Sequence, residues 1–171
     1  MRDVDGPELL AHLEAADLVV GFNNLRFDYA VLRGYTDGDL RRLPTFDMLE
    51  DVRRRIGFRL PLGHLGEETL GVAKSADGLQ SLAWWQAGEV ARVEAYCRDD
   101  VALLRDLLAY GIEHGHLRFR TRDGQRVRLP APWDLAELIE HATAQSDQSR
   151  YPGGRPVSPE PETRTIAPAP G

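Results

Sequence analysis

Asp100 stands out among the ionisable residues because of the company it keeps along the chain. The stretch Gly88–Gly111 carries the longest helical pattern in the sequence. At ~100° per residue, Val90, Cys97, Val101, Leu103, Leu104, Leu107 and Leu108 group around Val93 as one apolar stripe. Asp100 falls roughly 20° from the centre of that stripe, and Tyr96 flanks it one turn earlier. A carboxylate inside a buried stripe costs several kcal/mol unless it is paired, hydrogen-bonded or bound to a cation. It therefore either caps or pairs with a neighbour, or it holds a metal. Asp28 presents a similar choice. It follows an apolar run, Leu18-Val19-Val20-Gly21-Phe22, and the pair Asn23-Asn24. Ligand sites in α/β folds lie just beyond strand C-termini, while Asn24 is also a good helix N-cap and an acid in a first turn also suits the helix dipole. Cys97 lies on the apolar stripe and reads as inert.

The elements that must position these groups follow from pattern and punctuation. Helices are expected at Pro7–Ala16, from Asn23-Asn24 through Tyr35, at about 48–56, 62–70 and 78–86, over Gly88–Gly111, and at Pro132–Ala144. Strands are expected at Leu18–Phe22 and Leu43–Met48. Asp47, at the end of the second strand, reads as a cap for the next helix. Leu117–Leu129 reads as a β-hairpin turning at Asp123-Gly124. Arg118, Arg120, Arg122, Arg126 and Arg128 then share one face beside His116, which is either a phosphate footprint or a solvated surface. Trp84-Trp85 reads as core plus one exposed ring, and His64 as a helix-surface or core-edge residue.

Joined in order, these segments resemble a known family. Asn24-Leu25-Arg26-Phe27-Asp28 is similar to the second motif of the DEDD 3′–5′ exonucleases, in the ribonuclease H-like superfamily. Tyr96-Cys97-Arg98-Asp99-Asp100 is similar to their third motif in its tyrosine form. Leu62–Lys74, Gly78-Leu79-Gln80 and Trp84-Trp85 resemble the bacterial ribonuclease H-like domain that accompanies helicase-type proteins. The resemblance spans about Ala16–Phe119. It implies a metal-dependent nuclease that hydrolyses nucleic-acid phosphodiesters, DNA or RNA, with Mg2+ or Mn2+ as cofactor. It implies Asp28 and Asp100 as metal ligands and catalytic residues, and Tyr96 as the residue that orients the attacking water. Asn24 would position the Asp28 loop or the substrate, and Arg118, Arg120 and Arg128 are expected to bind phosphate.

The family's first motif, Asp-one residue-Glu on a strand, has no match; Asp3-Val4-Asp5 is nearest and lacks an apolar strand around it. The resemblance thus implies an α/β, ribonuclease H-like domain without its N-terminal antiparallel strands, over residues 1–115, inactive alone because two of four metal carboxylates are absent. A misplaced start, a split or decayed gene, or strands supplied by a partner would each account for this. The alternative is a non-catalytic nucleic-acid-binding remnant or an accessory piece of a helicase or nuclease system. Residues 116–145 are expected to form the basic hairpin and last helix. Ser146–Gly171 holds six of the eleven prolines and is expected to be a disordered tail.

Composition bounds the rest. The chain has 171 residues, 42% hydrophobic and 28% charged, the balance of a soluble globular domain. Its net charge of −6 argues against an all-over polyanion-coating protein but not against a local basic patch. Lys74 is the single lysine against twenty arginines, and no phosphate-loop glycine pattern surrounds it. No apolar run is long enough to span a membrane. One cysteine makes neither an internal disulfide nor a thiolate zinc site, so a cytoplasmic location is expected.

Overall fold

The computed structural model describes residues 6–72 and 78–150. Asp3-Val4-Asp5 and Lys74, considered above, lie outside the described residues, as does the expected tail beyond Arg150. The fold is mixed α/β. In chain order it runs α1 (Gly6–Glu14), β1 (Val19–Gly21), α2 (Asp28–Leu32), a 3-10 turn (Leu40–Arg42), β2 (Thr45–Asp47), α3 (Met48–Ile56), α4 (Leu62–Leu70), α5 (Gly78–Gln86), α6 (Val90–His114), β3 (His116–Arg120), β4 (Arg126–Pro130) and α7 (Leu135–Arg150).

β1 and β2 pair in parallel, Val19 opposite Thr45 and Gly21 opposite Asp47, so α2 lies in the connection between two parallel strands. Both strands end at the same edge of this small sheet, which gathers the segments after Gly21 and Asp47. β3 and β4 form the expected antiparallel hairpin, Arg118 opposite Arg128 and Arg120 opposite Arg126. Their inward residues, Leu117, Phe119 and Leu129, join Met48, Val52, Leu65, Leu104, Leu107 and Trp133 in the main core. Each fully buried aliphatic side chain there contributes about 1.5–3 kcal/mol. A smaller cluster, Leu10, Tyr29, Leu32, Leu40 and Leu43, seats α1 and α2 beside the sheet.

Side chains of α4 close the outer edge of β3. The Thr69 hydroxyl donates to the Arg118 carbonyl (3.1 Å) and accepts from the Arg118 N–H (2.9 Å). His64 Nε2 meets the N–H and carbonyl of Arg120 at 3.1 and 3.2 Å. A helix thus satisfies backbone groups that a third strand would otherwise take. His64 sits at a core edge, as expected, but its work is to finish a strand.

Several expectations change. The helix expected from Asn23-Asn24 shrinks to Asp28–Leu32; Asn23 has a left-handed backbone (φ 71°), which breaks the helix before it starts. Asn24 is not its cap, because its Oδ1 accepts from the Leu25 N–H instead. Arg122 lies in the hairpin loop and not on the paired Arg face. At the C-terminal end, α7 continues to Arg150, and Ser146 is buried with its hydroxyl on the Arg42 carbonyl. The folded part therefore extends past the expected boundary at Ser146, because a contact made far away in sequence holds the last turns.

The stripe on α6 also divides. Its C-terminal half is buried at Leu103, Leu104 and Leu107, but Val101 is 66% exposed and Val90 and Cys97 are exposed. Among the described residues, α5 packs along this N-terminal half and no sheet covers it. Asp100 is consequently half-buried, not buried within a closed core.

Candidate active-site cleft

An open cleft of about 760 Å³ lies between the end of β1, the loop before α4 and the exposed half of α6. Its walls carry Val19, Val20, Gly21 and Phe22 from the first strand, Asn23, Asn24, Phe27 and Asp28 after it, Arg59 to Leu62, and Cys97, Asp100, Val101 and Leu104 from α6. Asp28 and Asp100, 72 positions apart in sequence, thus share one cavity. The cleft opens at the C-terminal end of the parallel strands, where ligand sites in such sheets form.

The loop that presents Asp28 is fixed from below by Asp47, which is 5% exposed. Asp47 Oδ1 accepts from the N–H groups of Leu49 (3.1 Å) and Glu50 (3.3 Å), so it caps α3 as expected. The same oxygen also accepts from Asn23 N–H (2.8 Å), and Oδ2 accepts from Leu25 N–H (3.3 Å). One carboxylate therefore ties the start of α3 to the loop after β1. Asn24 is buried beneath that loop. A Cβ on Gly21 would lie 2.2 Å from the Asn24 side-chain carbon, so only glycine lets the amide fit under the strand end. With Oδ1 held by Leu25 N–H, Nδ2 remains a buried donor with no partner among the described residues.

Around Asp28 and Cys97 the electrostatics of the cleft run negative, although Arg59 also lines it. Asp28 is exposed to solvent on its outer side. Nevertheless desolvation on its inner side pushes its carboxyl above the usual aspartate value, against a backbone hydrogen bond that lowers it, with the charge of Asp47 adding to the rise. The Cys97 thiol is pushed up by desolvation and by the charges of Asp100 and Asp28. Such a field favours a cation. Carboxylate oxygens suit a hard divalent ion, and Mg2+ is commonly held by one or two carboxylates with water and substrate phosphate completing the shell. The two carboxylates lining the cleft are donors of that kind. Among the described residues no group of three or more His, Cys, Asp or Glu is gathered for a metal.

Tyr96 lies one turn before Asp100, half-buried, with its ring edge-on to Trp84 at 6.4 Å between centroids. It is not among the residues lining the cleft. Trp85 is the expected exposed ring at 55%, but Trp84 is only half-buried against Tyr96 and lies outside the core clusters.

The basic hairpin is a second surface. Arg118 and Arg128 face each other across the strands, and the Arg118 guanidinium lies 5.9 Å from the centre of the Tyr110 ring. Tyr110 stacks on His114 at 4.0 Å. Arg120 and Arg126, by contrast, both bind Glu68, at 2.8 and 3.0 Å, and the Arg120 hydrogen bond first, with both charges, holds the Glu68 carboxyl below its usual value against desolvation. Arg59 lines the cleft without having been singled out by sequence, and Asn23 was read only as part of the pair opening a helix. A lone arginine in a loop carries no spacing signal.

The chain matches no family model, no curated protein and no solved structure. No helix among the described residues is long and apolar enough to cross a membrane.

Proposed function

We propose that this chain is a nuclease-type domain of the ribonuclease H-like class, built for metal-dependent hydrolysis of nucleic-acid phosphodiesters and derived from 3′–5′ exonucleases. The observation that carries the reading is the meeting of Asp28 and Asp100 in one cleft at the strand C-termini. Each lies in a segment that resembles a family motif, and chain folding brings the two segments together.

In this reading Asp28 and Asp100 hold Mg2+ or Mn2+. A bound ion of this kind supplies Lewis-acid polarisation of a phosphoryl oxygen and a water of lowered pKa. The protein's own contribution is positioning. Asp47 fixes the loop that carries Asp28, Asn24 supports that loop from beneath Gly21, and α6 sets Asp100 at a constant height on the opposite wall. The resemblance gives Tyr96 a water-orienting role, but its ring packs against Trp84 and does not line the cleft, so the reading rests on Asp28 and Asp100 and not on Tyr96. Arg118 and Arg128 supply phosphate contacts on the hairpin, and Arg120 does so only when released from Glu68.

A second reading, a nucleic-acid-binding piece without catalysis, is favoured by the composition of the cleft. Asp28 and Asp100 are the two acidic residues in its lining, half the set that the family uses. Digestion of an end-labelled oligonucleotide with and without Mg2+ or Mn2+ separates the readings. Metal-dependent shortening that Asp28→Asn and Asp100→Asn each abolish supports the nuclease. Salt-dependent binding without shortening supports the binding piece. Neither binding nor shortening removes both.

A further inference from the structure

Arg59 is the cation among the residues that line the cleft of Asp28 and Asp100. It lies in the short loop between α3 and α4, on the cleft wall that also leads to Leu60, Pro61 and Leu62. Among the described residues it pairs with no carboxylate. Its guanidinium is held instead by the neutral Oδ1 of Asn23, so its full charge remains unspent.

The residue that holds it is itself held at a cost. Asn23 adopts φ 71°, a left-handed conformation otherwise confined among the described residues to glycines. Asparagine tolerates this region better than most residues, yet it is still unfavourable. The conformation persists because the buried Asp47 carboxylate accepts from the Asn23 N–H. The chain Asp47–Asn23–Arg59 therefore runs from a buried carboxylate to the cleft lining and ends in a guanidinium paired with no carboxylate among the described residues. Asn24, which is 5% exposed and also lines the cleft, adds in its unpartnered Nδ2 a second donor without an acceptor among the described residues.

We propose that Arg59 is a phosphate-binding residue of the cleft, positioned by Asn23, which holds a phosphodiester of a single nucleic-acid strand beside Asp28 and Asp100. The inference rests on the nucleic-acid reading above and adds a residue and a ligand group to it. The fork of guanidinium N–H groups suits phosphate oxygens geometrically. A fixed cation in the lining also offsets the repulsion that two cleft carboxylates exert on an incoming polyanion. Neutral occupants gain nothing from this arrangement.

The test is fluorescence anisotropy of a short labelled oligothymidylate, titrated with the full chain at several salt concentrations and with EDTA present. Metal chemistry is thereby kept out of the measurement. Arg59→Ala is expected to weaken binding and to flatten the log–log salt slope by about 0.7, the value for one phosphate contact on a single strand. Arg59→Lys should retain most of the slope. Asn23→Asp, which places a carboxylate against the guanidinium, should mimic Arg59→Ala while leaving Arg59 in place. Circular dichroism of each variant checks that the fold is kept. Wild-type binding with an unchanged affinity and slope in Arg59→Ala overturns the role of Arg59 and leaves the nuclease reading standing. No salt-dependent binding by the wild-type chain overturns the Arg59 proposal together with the nucleic-acid reading. Binding that responds to Arg59 but no metal-dependent digestion upholds Arg59 and points to the non-catalytic piece.

Discussion

Asp28 bears the electrostatic cost of its place in the cleft. Its folded carboxyl keeps a proton to higher pH than an unfolded aspartate does, chiefly through desolvation and also through Asp47. Across that interval the folded chain binds more protons than the unfolded one. Stability therefore falls as pH rises through it and does not recover at neutrality. Asp28→Asn should leave the protein as stable as the parent or more so near neutral pH, by urea denaturation. The difference should vanish in acid below the ordinary aspartate range, where both forms are uncharged. A variant less stable at neutral pH would mean that the Asp28 charge is compensated in the folded state. Asp47 has the opposite character. Asp47→Ala removes a helix cap, about 0.5–2 kcal/mol, and leaves the Asn23 N–H without its acceptor, while the Leu25 N–H keeps Asn24 Oδ1. An unsatisfied buried donor costs about 1–3 kcal/mol, so a total loss of about 2–4 kcal/mol is expected. A loss under about 1 kcal/mol would show that water replaces the carboxylate.

At the scale of elements, the hairpin and α6 each present two faces with separate fates. The inner face of β3 and β4 is core, and its outer edge is finished by Thr69 and His64, so the arginines are not needed to hold the strands. Glu68 takes two of them, Arg120 and Arg126. Arg118 and Arg128 remain for a polyanion. The triple variant Arg118→Ala, Arg120→Ala, Arg128→Ala should weaken oligonucleotide binding and reduce its salt slope. Its thermal midpoint should fall only modestly, because Arg118 and Arg128 make no ion pair among the described residues and Arg126 still binds the nearly buried Glu68 carboxylate when Arg120 is lost. Unchanged binding would assign the hairpin to solvated surface. On α6, one helix supplies core packing at Leu103, Leu104 and Leu107 and a cleft wall at Cys97, Asp100 and Val101. The stripe that is uniform on a helical wheel is divided by what the rest of the fold brings against it.

For the whole molecule the open side of β1 matters most. Val19 N–H donates to Pro44 O at 2.7 Å, so Val19 and Gly21 turn their backbone groups toward β2. In a parallel ladder the intervening Val20 turns its N–H and carbonyl the other way. Among the described residues no third strand meets them. The neighbouring surface is apolar: Phe27 is 64% exposed and Val101 66%. An unpaired edge beside exposed apolar side chains is a template for another chain. The 171-residue chain is therefore expected to self-associate. Size-exclusion chromatography with light scattering should show a mass that rises above the monomer with concentration. A monomer across the whole range would mean that the edge is covered.

Local pattern alone determined the order and type of most elements. The alternation of Leu117, Phe119 and their neighbours predicts the hairpin, the long period in Val90–Leu108 predicts α6, and Asp47 before an amphipathic run predicts the cap on α3. These features depend on residues within a few positions of one another, where periodicity and capping act. The helix expected from Asn23-Asn24 failed for the same kind of reason in reverse. Its outcome depended on the Asp47 carboxylate, 24 positions away from Asn23, which holds that residue in a backbone conformation its own sequence does not favour. The extra turns of α7 depended on Ser146 reaching Arg42, and the placing of Arg59 on Asn23. Long-range contacts carry no local periodicity, and their energies are collected only when the chain has closed. The residue types for the cleft were therefore legible along the chain. That Asp28 and Asp100 share one cavity, that half of the α6 stripe is uncovered and that Arg59 lines the same cavity were decided by tertiary packing alone.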